Sequence, residues 1–207
     1  FNEIDDALWL SDKSGLLITA KEKSGEPSQI WHISYPSGKA ERITRDFNNY
    51  DWISLSADSK TLVVGQNITK TNVWLASFDD LENPNQITFG SQAQDGYRGL
   101  AFAPDGKIIF TSPRNGNIDL WQMNADGTNQ QPLTENQGSL NISPRITSDG
   151  RYIVFASTRG GDKPHLWRMD ADGQNPLQLT KEANGERYFD VSTDGNRIFY
   201  ATMDAQN

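Results

Sequence analysis

Cysteine is absent from the 207 residues, which removes disulfides and thiolate metal sites and leaves the redox compartment unread. Basic residues are the minority, 19 Lys and Arg against 27 Asp and Glu, for a formal charge of -8 at pH 7. A phosphate backbone or an anionic bilayer would need concentrated Lys and Arg, so no nucleic acid is expected, and the partner is a protein or a small-molecule ligand. Long apolar runs are missing as well. No stretch of about 18 apolar residues occurs, so direct membrane contact is not expected either. The opening "FNEIDD" lacks the basic start and apolar stretch of a signal peptide. It also lacks an initiator Met, as a segment cut from a longer chain would. Hydrophobic residues, at 35 %, are few but sufficient for a core, and the length alone leaves one large all-β domain or two small domains open.

What is present is a repeat. An Asp-containing turn recurs at Asp12, Asp58, Asp105, Asp149 and Asp194, in steps of 46, 47, 44 and 45 residues. An apolar-Trp pair follows each of the first four turns (Ile30-Trp31, Val73-Trp74, Leu120-Trp121, Leu166-Trp167), and then an apolar-Thr pair (Ile43-Thr44, Ile87-Thr88, Leu133-Thr134, Leu179-Thr180). Nothing between these markers has apolar spacing of three and four residues long enough for a helix. Before each turn, residues alternate: Trp9, Leu55, Phe102, Ile146 and Val191, with Ala7, Ile53, Leu100, Pro144 and Phe189 two positions earlier, are expected to face the core. After each turn, "LLI", "LVV", "IIF", "IVF" and "IFY" are apolar on consecutive residues, which predicts strands covered on both faces. Units of four strands at this period predict an all-β chain, a β-propeller of four-stranded antiparallel blades. The repeats span about 6–44, 49–88, 97–134 and 142–180, with a partial copy at 187–207. About four and a half blades in one domain or fragment, 1–207, would form an open arc or an incomplete ring, with self-association through open blade edges expected.

The segments "FAPDGKIIFTSPRNGNIDLWQMNADGTNQQPLT" and "TSDGRYIVFASTRGGDKPHLWRMDADGQNPLQLT" resemble the WD-like repeats of the TolB-type β-propellers, and the resemblance covers nearly the whole chain. The first half, through "WLSDKSGLLITAKEKSGEPSQIWHISYPSGKAERIT" and "ISLSADSKTLVVGQNITKTNVWLA", is most similar to propellers attached to bacterial (acidobacterial-type) serine/threonine protein kinases. That resemblance implies a non-catalytic sensing or binding module, extracytoplasmic or periplasmic in a bacterium. Related propellers imply two alternatives, a substrate filter in a prolyl-oligopeptidase-like peptidase and a TolB-type scaffold that docks proteins. Two copies depart from the pattern. "SDKSG" and "SADSK" stand where the family has an Asp-Gly turn, and "SFDDLENPN" replaces the second D-A-D-G turn, so irregular turns are expected there.

Candidate chemistry is sparse. The segment "MDADGQN" at Met169–Asn175 resembles the start of a calcium loop, but counting from Asp170 puts Gly173 at position four and Lys181 at position twelve, where an EF-hand needs Gly at six and Glu at twelve. A hairpin turn is expected instead, and no metal or cofactor. No G-x-S-x-G elbow, Walker A, G-x-G-x-x-G or H-E-x-x-H occurs, and His32 and His165 are expected to be surface or edge residues, so no catalytic residue is assigned. The four repeat-position Trp residues and Trp9 are expected in blade packing, while Trp52 points to the polar side of its strand. The sequons at Asn67 and Asn141 are taken as chance.

Loops on the side opposite the Asp-Gly turns differ from copy to copy, and variable loops on a rigid scaffold are where recognition usually sits. Tyr50, Trp52, Tyr97, Arg98, Arg145, Arg187 and Tyr188 lie at or near inner-strand starts and are expected to converge at a channel mouth, with Arg145 also placed to pair with Asp190.

Overall fold

Short alternating segments punctuated by turns leave little else to form: the described residues hold eighteen β-strands and no helix. The structure, a computed structural model, describes residues 1–23, 26–90, 94–114, 116–135, 140–181 and 185–202, with Arg187 given by its backbone alone. The strands fall into two compact units, Phe1–Thr69 and Lys70–Asn207.

In the first unit, β1 (Glu3–Trp9), β2 (Gly15–Lys21), β3 (Gln29–Ser34) and β4 (Ala40–Arg42) form an antiparallel sheet in that order. A hairpin of β5 (Asn49–Leu55) and β6 (Leu62–Asn67) packs on β1. The second unit opens with a hairpin of β7 (Trp74–Ser77) and β8 (Asp80–Gln86). A four-stranded sheet follows, of β9 (Leu100–Phe102), β10 (Ile108–Ser112), β11 (Asp119–Met123) and β12 (Gln131–Pro132). The next sheet holds β13 (Asn141–Ile146), β14 (Tyr152–Ser157), β15 (His165–Asp170) and β16 (Leu177–Gln178), and a hairpin of β17 (Glu186–Val191) and β18 (Ile198–Thr202) comes last. Three copies of the repeat are thus complete four-stranded blades, the second copy forms two separate hairpins, and the fifth forms one.

Consecutive apolar residues in β10 serve two layers. Ile108 and Phe110 pack with Val73, Ile87 and Met123, while Ile109 packs with Leu120, Ile153, Phe155 and Met169. Trp121 and Trp167 lie against these clusters, and Trp31 is buried with Ile18 and Ala20. Trp74, in the same repeat position, is 56 % exposed. β2, β10 and β14 are buried almost throughout, with β10 covered by the hairpin before it and the blade after it, whereas β6 and β18 are largely exposed.

The inner strands keep the expected phase in β5, β13 and β17, where Ile53, Pro144 and Phe189 are buried. The expectation fails in β1 and β9: Trp9, Leu100 and Phe102 are 54 %, 52 % and 58 % exposed. No complete four-stranded blade precedes either strand in its own unit, and before β9 there is only the β7–β8 hairpin, whose flanking Val73 and Ile87 pack with Ile108 and Phe110 of β10. Trp9 instead packs edge-on against Tyr35, ring centroids 5.5 Å apart.

Another correction concerns the first-strand turns of copies one and two. Lys13 (φ 61°) and Ser59 (φ 55°) adopt the left-handed conformation held by Gly106, Gly150 and Gly195. Their N–H groups donate to Leu10 and Ser56 carbonyls at 3.0 and 2.8 Å, as Gly106 N–H does to Ala103. The turn survives because the Asp, present in every copy, accepts the N–H two residues on: Ser14, Lys60, Lys107, Arg151 and Asn196, at 2.9 to 3.1 Å.

Candidate functional site

Four of the inner strands break register at one place. β1, β5, β13 and β17 each carry a bulge, at Asp5, Trp52, Ser143-Pro144 and Arg187. A bulge leaves one residue unpaired and re-aims its side chain. At Trp52 the outcome is a ring 81 % exposed on a backbone at φ 50°, while its neighbour Ile53 donates its N–H to Asp6 Oδ2 at 3.1 Å. Tyr50, two residues earlier, does not reach the surface: it is 8 % exposed, donating its hydroxyl to Asp46 at 2.7 Å and accepting from Gln66 at 2.8 Å. Burial first, and then the Asp46 carboxylate, pushes its pKa up. Sequence reasoning placed Tyr50 by strand position, but an aromatic beside a bulge can turn either way.

The other candidates lie in the second unit. Tyr97 is 56 % exposed, with the Arg98 guanidinium 5.9 Å from its ring centroid. The Arg98 carbonyl accepts Ser143 N–H at 2.9 Å, which ties the loop before β9 to the bulge of β13. Arg145 Nε lies 3.3 Å from Asp190, and its guanidinium sits 5.9 Å from the Phe189 ring. Tyr188 is 71 % exposed on β17, and the Arg187 side chain lies outside the described residues. The structure therefore places Tyr97 and Arg98 in the loop before β9 and Arg145 and Tyr188 on β13 and β17, all in one unit, and Trp52 stands in the other.

The carboxylates of "MDADGQN" are turn groups. Asp172 Oδ1 accepts Gln174 N–H at 3.0 Å, Asp170 accepts from the Asn175 amide at 2.7 Å, and Gly173 holds φ 87°. In the earlier copy Asp126 likewise accepts Thr128 N–H at 2.9 Å. The glycine is also needed for close approach: a Cβ on Gly173 would lie 2.7 Å from the Leu133 carbonyl oxygen, and on Gly127 2.3 Å from that of Ile87. Each D-A-D-G turn thus presses on the apolar-Thr pair of the copy before it.

Sequence reasoning missed a polar latch beside three of the four apolar-Trp pairs. The residue before each apolar-Trp pair is Gln29, Asn72, Asp119 or His165. Gln29 donates to the Asn48 carbonyl at 2.8 Å, Asp119 accepts from the Thr134 hydroxyl at 2.7 Å and the Asn141 amide at 3.1 Å, and His165 Nδ1 lies 3.2 Å from Glu186. His165 is accordingly no surface histidine; its side chain is 13 % exposed and its partner Glu186 is fully buried. The Thr180 hydroxyl donates to Glu186 at 2.6 Å, so it is not poised as a nucleophile for His165. The recurring polar residue one step before the Trp was the available signal.

With the geometry in place, similarity to known proteins can be stated. The family model described as TolB beta propeller domain matches residues 91–207. Protein groucho of Drosophila melanogaster is 29 % identical over 126 residues, 56 % of this chain and 16 % of its own length. A TolB homolog of Chlorobium chlorochromatii is 44 % identical over 78 residues, 38 % of this chain and 17 % of its own. The chain thus spans less than a fifth of the length of these curated relatives. A TolB structure from Agrobacterium tumefaciens superposes with a TM-score of 0.57 at 20 % identity, covering 99 % of this chain and 72 % of that one, which supports the fold.

Proposed function

The chain belongs to the TolB β-propeller domain family, and from that premise we propose that it is a non-catalytic module that docks protein partners through the loop side of its inner strands. The observation that carries this reading is Trp52. A bulky aromatic at positive φ is an outlier that costs the fold, and with 81 % of its surface in solvent it returns little packing. Exposed aromatic and Arg side chains on a rigid scaffold are the chemistry of recognition hot spots. The second unit offers its own set, Tyr97 and Tyr188 with Arg98 and Arg145 between them. The TolB relatives favour docking over peptidase gating. A sensor role beside a serine/threonine kinase domain rests on the resemblance of the first half alone. The same family resemblance supports an extracytoplasmic site of action.

Peptides selected from a displayed random library against the 207-residue chain test this reading. Trp52→Ala or Tyr188→Ala should weaken the selected binders at least tenfold, while Phe78→Ala, at a ring 92 % exposed in the turn between β7 and β8, should not. Binders indifferent to both inner-strand variants would overturn it.

A further inference from the structure

One opening in the second unit lies away from those loops. A cavity of about 490 Å³ sits between the β9–β12 and β13–β16 blades on the Asp-Gly-turn side, walled by Pro104, Ile109 and Ile146. Gln122 lines it from β11. That side chain is 8 % exposed, yet its amide makes no hydrogen bond with any described residue. Its polar atoms stay open to the cleft, where water or a ligand group can meet them. The residue after the Trp is His32, Leu75, Gln122 or Arg168 in the four copies, polar in three of them, and Leu120, on the same face of β11 as Gln122, is a core residue. At the next junction the equivalent residue is Arg168, lining an equivalent cavity of about 300 Å³, with its buried Nε also without a partner. The cleft therefore recurs between these blades, but its polar residue is held differently: the Arg168 guanidinium lies 4.2 Å from the Tyr152 ring centroid, whereas the Gln122 amide has no partner among the described residues.

Three carboxylates surround the first cleft, Asp105, Asp149 and Asp172, against the single ammonium of Lys107. Each Asp spends Oδ1 on a turn N–H. Oδ2 of Asp105 pairs with Lys107 at 3.2 Å and that of Asp149 with Arg151 at 2.6 Å, while Asp172 Oδ2 has no partner among the described residues. No three carboxylates or imidazoles among the described residues are grouped to hold a metal ion. Apolar walls, a neutral acceptor and a negative mouth fit a long aliphatic stem with a cationic head.

We propose that the Gln122 cleft is a binding site for a basic side chain, lysine or arginine, of a protein partner. The stem lies along Ile109 and Ile146, and the N–H donors of the head are met by Gln122 Oε1 and Asp172. The chain's charge of -8 draws such a partner in. The site is separate from the loop-side surface, so either can fail without the other.

Titration of the 207-residue chain with acetyl-Gly-Lys-Gly-amide, followed by amide NMR shifts, tests it. Shifts are expected to centre on Gln122, Ile146 and Ala171 and to be absent with the norleucine and glutamate analogues of the peptide. Gln122→Leu, which leaves the charge unchanged, should weaken binding at least tenfold, and Asp172→Asn, which keeps the turn acceptor, three- to fivefold; Trp52→Ala should leave it intact. Equal binding of the norleucine peptide, or a Gln122→Leu protein that binds lysine as well as the parent, would overturn the site in favour of an apolar pocket or a diffuse acidic surface. A fall in the melting temperature of Gln122→Leu would overturn it too, because the amide would then belong to the fold.

Discussion

Lys13 pays a conformational cost that three glycines of the same turn avoid. A left-handed backbone costs an L-residue with a side chain about 1–2 kcal/mol, partly offset by the lower unfolded-state entropy of a non-glycine. Lys13→Gly is therefore expected to raise stability by about 0.5–1 kcal/mol in urea denaturation. Ser59 is a poorer target because its Oγ accepts Ser11 N–H at 2.8 Å. Gly127 lies at the other extreme. A Cβ there would meet the Ile87 carbonyl oxygen at 2.3 Å on top of φ 82°, so Gly127→Ala should lose about 2 kcal/mol or more by the same measurement.

The turn carboxylates also set the response to acid. The Thr147 hydroxyl first, and then Arg151, hold the Asp149 pKa down to about 2 from 3.8, and the other four turn Asp residues shift in the same direction. A lowered folded-state pKa gives stability that is fully present above pH 3.8 and is lost as pH falls toward about 2. Asp119 has the opposite sign: burial raises its pKa, so its contribution turns unfavourable as pH climbs above 3.8. Asp149→Asn should therefore flatten the loss of melting temperature between pH 4 and pH 2, and an unchanged acid limb would remove this turn from the account.

At the scale of elements, the apolar-Thr pair closes each blade. The hydroxyls of Thr44, Thr88, Thr134 and Thr180 accept the N–H of Ile30, Val73, Leu120 and Leu166 at 2.9 to 3.0 Å, while the apolar residue before each Thr donates its N–H to the same partner's carbonyl. Thr134 additionally donates to Asp119. Thr134→Val keeps the shape but strands a buried N–H and a buried carboxylate, an expected loss of about 2–3 kcal/mol that Thr134→Ser should largely restore. The repeat period, the turn Asp and this Thr were legible because each is a local hydrogen-bond device, recurring at fixed spacing. The bulge at Trp52 and the latch partners Asn141 and Glu186 were not, because they depend on which strand of the next blade arrives opposite. Gln122 was hidden for a related reason: one polar residue in an amphipathic strand looks solvent-facing until the neighbouring blade is in place.

At the scale of the molecule, the fifth copy poses a question of cover. Ile198, Phe199 and Tyr200 repeat the consecutive apolar pattern that β10 and β14 bury completely, yet Phe199 and Tyr200 are 63 % and 47 % exposed. Among the described residues β18 pairs only with β17. Every complete blade answers such an edge with an apolar-Trp strand in antiparallel register, as Phe155 opposite Trp167 and Phe110 opposite Trp121. An open edge bearing exposed aromatics recruits another strand from whatever source is near. The 207-residue chain should therefore self-associate, seen as a weight-average mass that rises with concentration in sedimentation equilibrium. Phe199→Lys places a charge on that face and should return the chain to a monomer. A parent chain that remains monomeric at the highest soluble concentration would mean that β18 is covered from within, and the variant would then change nothing.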